Sequence, residues 1–133
     1  MTLKPTLVAL GLGVLASASF AEGDPLQGEK VFRKCKSCHM VGEGAKNRTG
    51  PILNGVVDRQ MGQVEGFRYS KALIAMGEEG AVWDATILDA FLTKPRNAVK
   101  GTKMAFAGLR KEQERADVIA YLKTFQIDGT VAE

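Results

Sequence analysis

The apolar residues near the end of the chain follow the spacing of an amphipathic helix. Residues 111–126 place them on one helix face, with Tyr121 beside it: Val118, Ile119, Leu122 and Phe125. Such a stripe is typical of a helix that packs on a core while its opposite face meets solvent. This segment is the clearest helix that the sequence predicts.

A second helix is predicted for residues 83–95. It begins after Trp83 with Asp84 near its N-cap and stops at Pro95. Its apolar residues recur at helical spacing and are Ile87, Leu88, Phe91 and Leu92. A proline cannot continue a helix, because its ring clashes with the preceding turn and it has no N–H to donate.

Two shorter helices are predicted earlier in the chain. Asp24 followed by Pro25 is a helix start, because aspartate accepts a hydrogen bond from a free first-turn N–H and proline suits the first helical position. Residues 70–80 form a short helix that Gly80 closes.

Long loops should connect these helices. Residues 41–67 are rich in Gly, Asn and Pro, and residues 96–109 are expected to return to irregular backbone. No alternating run of apolar and polar residues indicates a strand. The predicted fold class is all-α, with three to five helices and long loops.

The first 21 residues have a different composition from the rest. Lys4 is their only charge, an apolar run follows, and Ser19 and Ala21 form a small-x-small cleavage pattern. This is the arrangement of a secretory signal peptide. We expect residues 1–21 to be a cleaved signal and residues 22–133 to be one domain; the alternative is an uncleaved membrane anchor.

Composition restricts the function of the mature domain. Loss of residues 1–21 leaves 17 basic and 15 acidic residues, a net charge of +2, which argues against a nucleic-acid-binding protein. Aromatic residues make up only 7% of the chain, so the core would be thin unless another group fills it. Small domains often need an additional stabilising group of this kind.

The stretch "CKSCH" contains every cysteine and histidine of the chain: Cys35, Cys38 and His39. A structural zinc site needs four such ligands, so zinc is disfavoured. A disulfide or a thioredoxin-like pair is a second interpretation, but the βαβ context of that fold is missing. The third is the C-x-x-C-H signature of covalent haem c, in which the cysteines form thioethers and the histidine ligates iron. Haem would also supply the missing core.

With one histidine, a haem iron must take a different sixth ligand or none. Methionine is the natural candidate. Met40 adjoins the proximal ligand and cannot easily reach across the haem plane, which leaves Met61, Met76 and Met104. Met104 lies in the Gly-flanked segment "KGTKMAFAG", which favours it over the other two. The alternative for each methionine is packing in the core.

The chain resembles the class I c-type cytochromes, of the cytochrome c2 and mitochondrial-like kind. The resemblance rests on several motifs in order: "GEKVF", "CKSCH", "TGPILNGVVDR", "GFRYSKA", a lone tryptophan before a helix, "GTKMAFAG" and "ERADVIAYLK". It covers residues 28–125 and implies a cytochrome c fold wrapped around one covalently bound haem.

The resemblance implies a role for each matching residue. Cys35 and Cys38 would attach the haem, and His39 and Met104 would ligate its iron. The carbonyl of Pro51 would accept the other imidazole N–H. Polar partners of the haem would be Arg59, Tyr69 and Trp83 at a buried propionate and Thr102 on the methionine side. The crossing of the first and last helices would involve Gly28, Phe32, Val118 and Tyr121.

Three positions depart from the family's pattern. Phe91 stands where a tyrosine is usual, Lys100 where a proline is frequent, and Leu73 where an asparagine is frequent. These changes suggest a less polar methionine side. We expect Phe91→Tyr to alter the redox potential or the stability of the methionine bond.

The resemblance implies a soluble periplasmic single-electron carrier rather than an enzyme. His39 and Met104 would fill both axial positions of its haem iron. The carrier would be a monomer that takes electrons from a bc1-type complex and passes them to a terminal oxidase or photosynthetic reaction centre. The basic residues expected to dock these membrane complexes are Lys34, Lys36, Arg48, Arg96, Lys103, Arg110 and Lys111. The alternatives are a haem-based peroxidase or gas-binding protein with a labile sixth ligand, and a haem-free module with a disulfide.

Overall fold

The computed structural model describes Gly13 and residues 22–133, and this part of the chain contains five helices and no extended strand. The helices are α1 (Pro25–Phe32), α2 (Lys71–Glu78), α3 (Ala85–Thr93), α4 (Pro95–Ala98) and α5 (Glu112–Lys123). The all-α prediction is confirmed. The predicted signal peptide lies outside the described residues apart from Gly13, and its cleavage stays a prediction.

The predicted helix starts agree with the observed caps. The Asp24 carboxylate accepts a hydrogen bond from the Leu26 N–H at 2.8 Å, and the Asp84 carboxylate accepts one from the Ile87 N–H at 2.8 Å. Ser70 caps α2 in the same way. Each cap satisfies an N–H that the first helical turn leaves without an intrahelical partner.

The expectation of irregular backbone directly after Pro95 is wrong, because Pro95 begins the four-residue helix α4. Lys94 adopts an extended conformation with φ −161° and ends α3. The ring of Pro95 then suits the first position of a new helix, whose turn is closed by the Val99 N–H on the Pro95 carbonyl at 2.9 Å. The proline therefore ends one helix and starts another.

Helices α1 and α5 cross in close contact at Gly28. A Cβ atom at this position would collide with the backbone carbonyl of Asp117 and approach the Cβ of Tyr121. The Asp24 N–H donates to the Asp117 carboxylate at 2.8 Å, and the rings of Phe32 and Tyr121 lie 5.5 Å apart. The predicted helix crossing is confirmed, and the absence of a side chain at Gly28 makes it possible.

The core lies between the α1–α5 pair, α3 and the long loop before α2. Phe32, Met61 and Val118 are its most deeply buried large side chains. The predicted apolar faces of α3 and α5 contribute further core residues: Leu88, Phe91, Leu92 and Leu122 are buried. An isolated bridge between Gln60 and Val82 ties the long loop to the segment before α3. Within the described residues, no helix is long and apolar enough to cross a membrane.

Candidate functional site

The "CKSCH" stretch forms a turn that continues directly from α1. The Cys35 N–H donates to the Phe32 carbonyl at 2.8 Å, and the His39 N–H donates to the Cys35 carbonyl at 2.9 Å. One turn of backbone therefore joins the two cysteines to the histidine. Both cysteines are half-buried free thiols, so no disulfide joins them.

The thiol of Cys35 is held in its protonated form. Burial raises its pKa to about 11, and the nearby Cys38 also raises it, against an opposing effect from Lys34. A redox-active dithiol requires a low thiolate pKa. Among the residues that the structure describes, no group of three or more His, Cys, Asp or Glu side chains is placed to hold a metal ion. The raised pKa of Cys35 weighs against the dithiol interpretation.

His39 is buried and held in a defined orientation. Its Nδ1 lies 2.7 Å from the Pro51 carbonyl oxygen. Because a carbonyl only accepts hydrogen bonds, Nδ1 carries the proton and Nε2 keeps its lone pair. Burial lowers the pKa of His39, and the bond to Pro51 opposes this to a smaller extent. The imidazole is therefore neutral, which is the form that ligates metals.

Gly50 allows the loop of Pro51 to lie against the imidazole. A Cβ atom at Gly50 would collide with the His39 ring. The Gly50 N–H donates to the Cys38 carbonyl at 2.9 Å, which fixes the loop beside the cysteine–histidine turn. Sequence reasoning did not assign this role to Gly50; the adjacent proline in "TGP" was the available signal.

Met104 lies in the loop between α4 and α5 and packs against the core. Its N–H donates to the Thr102 hydroxyl at 3.3 Å, and the Thr102 N–H donates to the Val99 carbonyl at 3.1 Å. Thr102 therefore orders the backbone just before Met104. Of the two rival methionines, Met61 is completely buried in the core and Met76 is half-buried against it.

Arg115, which sequence reasoning did not identify, anchors the other end of the Met104 loop. Its Nη1 donates to the carbonyls of Leu109 and Arg110 at 3.0 and 3.1 Å. Its Nε donates to the Asp89 carboxylate on α3 at 2.7 Å. The Arg115 side chain thus ties the end of the loop to a neighbouring helix.

Arg59, Tyr69 and Trp83, the residues predicted to hold a propionate, lie near one another. The backbone N–H of Trp83 donates to the Arg59 carbonyl at 2.8 Å. Burial raises the pKa of Tyr69, and the hydrogen bond from the Val64 N–H and the charge of Arg59 oppose this rise to a smaller extent. The Arg59 guanidinium donates to the Asn54 carbonyl at 2.8 Å, but its Nε is buried with no hydrogen-bond partner within the described part of the chain. A buried donor of this kind requires an acceptor.

Comparisons with known proteins identify the family of the chain. The sequence profile described as "Cytochrome c" matches residues 26–126. The chain belongs to the cytochrome c family. It is 53% identical over 106 residues to cytochrome c-550 of Ancylobacter novellus, a match that covers 80% of this chain and 99% of the relative.

Cytochromes c2 are also similar over most of the length. That of Rhodomicrobium vannielii is 46% identical over 122 residues, which cover 92% of this chain and 94% of the relative. The solved structure of cytochrome c2 from Rhodospirillum centenum superposes with a TM-score of 0.73 at 47% identity, over 78% of this chain and 99% of that one. The predicted cytochrome c fold is confirmed, and the chain is an electron carrier rather than an enzyme.

Members of the cytochrome c family carry one covalently attached haem c, and the residues of this cytochrome fit that group. The unpaired Nε of Arg59 suits a haem propionate, because a buried carboxylate needs hydrogen-bond donors. The free Nε2 of His39 suits an iron ligand. The two half-buried thiols lie on the same turn as that imidazole. Cys35, Cys38 and His39 are the residues of this turn that would hold the haem.

The seven basic residues predicted to dock partners of the cytochrome are all exposed. Lys34 forms an ion pair with Glu114 at 3.2 Å, although its side chain remains 52% exposed.

The three departures from the family pattern have different environments. Phe91 is buried with its ring 4.9 Å from that of Trp83, Leu73 is half-buried, and Lys100 is exposed.

Proposed function

We propose that the protein is a soluble, monomeric, periplasmic carrier of single electrons whose haem is ligated by His39 and Met104. It would take electrons from a bc1-type complex and deliver them to a terminal oxidase or a photosynthetic reaction centre. The observation that carries this proposal is the buried imidazole of His39, whose Nδ1–H is fixed on Pro51 while Nε2 remains available to iron.

The residues of the chain explain why such a centre would carry electrons rather than transform a substrate. The haem would supply a one-electron Fe(III)/Fe(II) couple. Cys35 and Cys38 would hold it by thioether bonds, and His39 and Met104 would both ligate its iron. No position would then remain for a substrate. Methionine ligation favours a high potential, and the buried core around the site excludes water.

Three further residues would stabilise the negative charge of a buried haem propionate. Arg59, Tyr69 and Trp83 would hold a propionate, with Arg59 contributing its unpaired Nε–H. Its positive charge would offset the cost of burying a carboxylate. On the other side, Thr102 would keep the backbone of Met104 in place.

The exposed basic residues support docking to acidic partner surfaces. Contacts of this kind speed encounter at low salt and are weakened by screening. The chain would meet such partners in the periplasm after removal of residues 1–21. Mass spectrometry of the exported protein would test that cleavage, with Glu22 as the expected first residue.

The main test is the intact mass of the purified protein together with its absorption spectrum. We expect one covalently bound haem and, in the oxidised protein, the far-red band of a methionine–iron bond. A mass without haem would refute the proposal. Rapid binding of carbon monoxide or azide, with no methionine band, would instead support a gas-binding protein or a peroxidase with a labile sixth ligand.

Docking is tested by neutralising two exposed basic residues, Lys103 and Arg110, with glutamine. We expect the second-order rate with a membrane oxidase to fall at low salt and the difference from the wild type to shrink as salt is added. Lys123→Gln, on the exposed C-terminal end of α5, is the control for a positive charge lost outside the predicted docking residues. Equal low-salt rates for all three proteins would contradict the docking surface.

A further inference from the structure

Asn54 is buried, and neither the family resemblance nor the proposed electron-carrier function assigns a role to its polar side chain. Its side chain is enclosed between two loops and makes two hydrogen bonds to one residue, Gly42. The Gly42 N–H donates to the Asn54 Oδ1 at 2.8 Å, and the Asn54 Nδ2 donates to the Gly42 carbonyl at 3.0 Å. Both polar ends of the amide are thus satisfied by the backbone of a segment twelve residues away.

These bonds complete a ladder between residues 38–42 and 50–54. The Gly50 N–H donates to the Cys38 carbonyl at 2.9 Å, and the Leu53 N–H donates to the Met40 carbonyl at 3.1 Å. The Asn54 side chain forms the last step of this ladder. Pro51 lies between the first step and the other two, so the ladder holds its loop against the His39 segment from both sides.

The backbone at Asn54 is also held from the opposite direction. Arg59 donates to the Asn54 carbonyl at 2.8 Å, and the Gly55 N–H donates to the Phe125 carbonyl at 3.1 Å. Both bonds involve main-chain groups and survive a change of side chain at Asn54. A substitution at Asn54 therefore cuts the tie to Gly42 without removing the anchors on the other side.

We propose that Asn54 is a positioning residue for the iron-ligating imidazole: it keeps the Pro51 carbonyl on the Nδ1–H of His39 by fixing the Pro51 loop to Gly42. The inference rests on the electron-carrier function proposed above. A hydrogen bond from the second ring nitrogen sets the orientation of a ligating histidine and its donor strength. Asn54 acts on this bond through the loop, because both of its side-chain hydrogen bonds go to Gly42.

The test is proton exchange in the reduced, haem-bound protein, followed by NMR. Two signals are compared: the Nδ1–H of His39, which reports the Pro51 loop, and the backbone amide of Val118 in α5, which reports global opening. Asn54→Leu removes both side-chain hydrogen bonds at similar volume. Asn54→Asp keeps the acceptor for the Gly42 N–H at near-identical shape, but it loses the donor and turns a carboxylate oxygen toward the Gly42 carbonyl. Asn97→Leu, at an exposed position of α4, is the control.

We expect Asn54→Leu to raise the exchange rate of the His39 Nδ1–H at least tenfold relative to that of Val118, a difference of about 1.4 kcal/mol in local opening. Asn54→Asp should also raise this ratio, because a carboxylate oxygen cannot donate to the Gly42 carbonyl, and Asn97→Leu should leave it unchanged. A ratio that stays within about twofold in the haem-bound Asn54 variants would overturn the role of Asn54. A wild-type protein that lacks covalent haem would refute the proposed function itself, and the positioning role with it.

Discussion

Arg115 offers the sharpest test of how the Met104 loop is held. The proposed change is Arg115→Leu, which keeps much of the side-chain volume and removes the guanidinium. The variant loses the 2.7 Å ion pair with Asp89 and the hydrogen bonds to the carbonyls of Leu109 and Arg110. The side chains of Arg115 and Asp89 are only 11% and 24% exposed, so water cannot fully replace these contacts.

The expected loss of stability follows from that burial. Removing one partner of a fully buried ion pair costs about 3–5 kcal/mol, whereas exposed pairs contribute about 0–1 kcal/mol. Because Asp89 retains some access to water, we expect Arg115→Leu to lower the free energy of unfolding by about 2–3 kcal/mol. This is a large fraction of the roughly 5–15 kcal/mol that stabilises a typical domain.

The assay is guanidinium denaturation of the oxidised protein with two probes. Circular dichroism follows the helices, and the far-red absorption band follows the methionine–iron bond. In the variant, we expect the band to disappear at a lower denaturant concentration than the helices, because the loop end at Leu109 is released first. Lys123→Leu, an exposed change on the same helix, should alter stability by no more than about 0.5 kcal/mol.

Two results would refute this reasoning. A stability loss below about 1 kcal/mol would show that the Arg115 contacts are replaced by water. Coincident transitions of the two probes in the variant would show that Arg115 stabilises the whole domain rather than the Met104 loop. A double-mutant cycle with Asp89→Ala separates the ion pair from the carbonyl bonds, since the cycle isolates the interaction between the two side chains.

Two further changes test the two sides of the haem site. Gly50→Ala should destabilise the protein by about 1–3 kcal/mol, because the added Cβ collides with the His39 ring and the core cannot expand freely. The measurement is denaturation, with Thr49→Ala at the exposed neighbouring position as the control. Equal denaturation midpoints for the two variants would contradict the close contact between Gly50 and His39. Phe91→Tyr places a hydroxyl in the buried site beside Trp83. This polar group should shift the midpoint potential or the pH at which the methionine–iron band is lost. Identical redox and pH titrations of the variant and the wild type would show that residue 91 does not influence the haem site.

The helices and their limits were largely predictable, because the signals for them are local. Apolar periodicity located α3 and α5, and aspartate caps located the starts of α1 and α3. The exception was α4, where a proline that correctly marked the end of one helix also began the next. Proline is a signal both for the end of a helix and for the first position of a new one. Because Lys94 is extended, Pro95 follows the end of α3 and begins α4.

The chemistry of the site was also recognisable from the order of residues, since the cysteine–histidine spacing lies within one turn and the loop of Met104 is marked by glycines. What required the tertiary structure was the set of supports around that chemistry. Asn54 meets Gly42 across twelve residues, and Arg115 meets Asp89 across 26. Neither pairing follows from local propensity, because such contacts depend on how distant segments pack.

The sequence by itself therefore determined the helical elements, the attachment motif and the candidate ligands, all of which rest on short-range spacing. The family resemblance implied the bond between His39 and the Pro51 carbonyl, but only the folded chain decided that Gly50 would lie against the imidazole. It also decided that the Nε of Arg59 would be buried without a protein partner within the described residues. The physical reason is that hydrogen-bond partners and burial are properties of three-dimensional proximity, which loops of this length leave open until the core has formed.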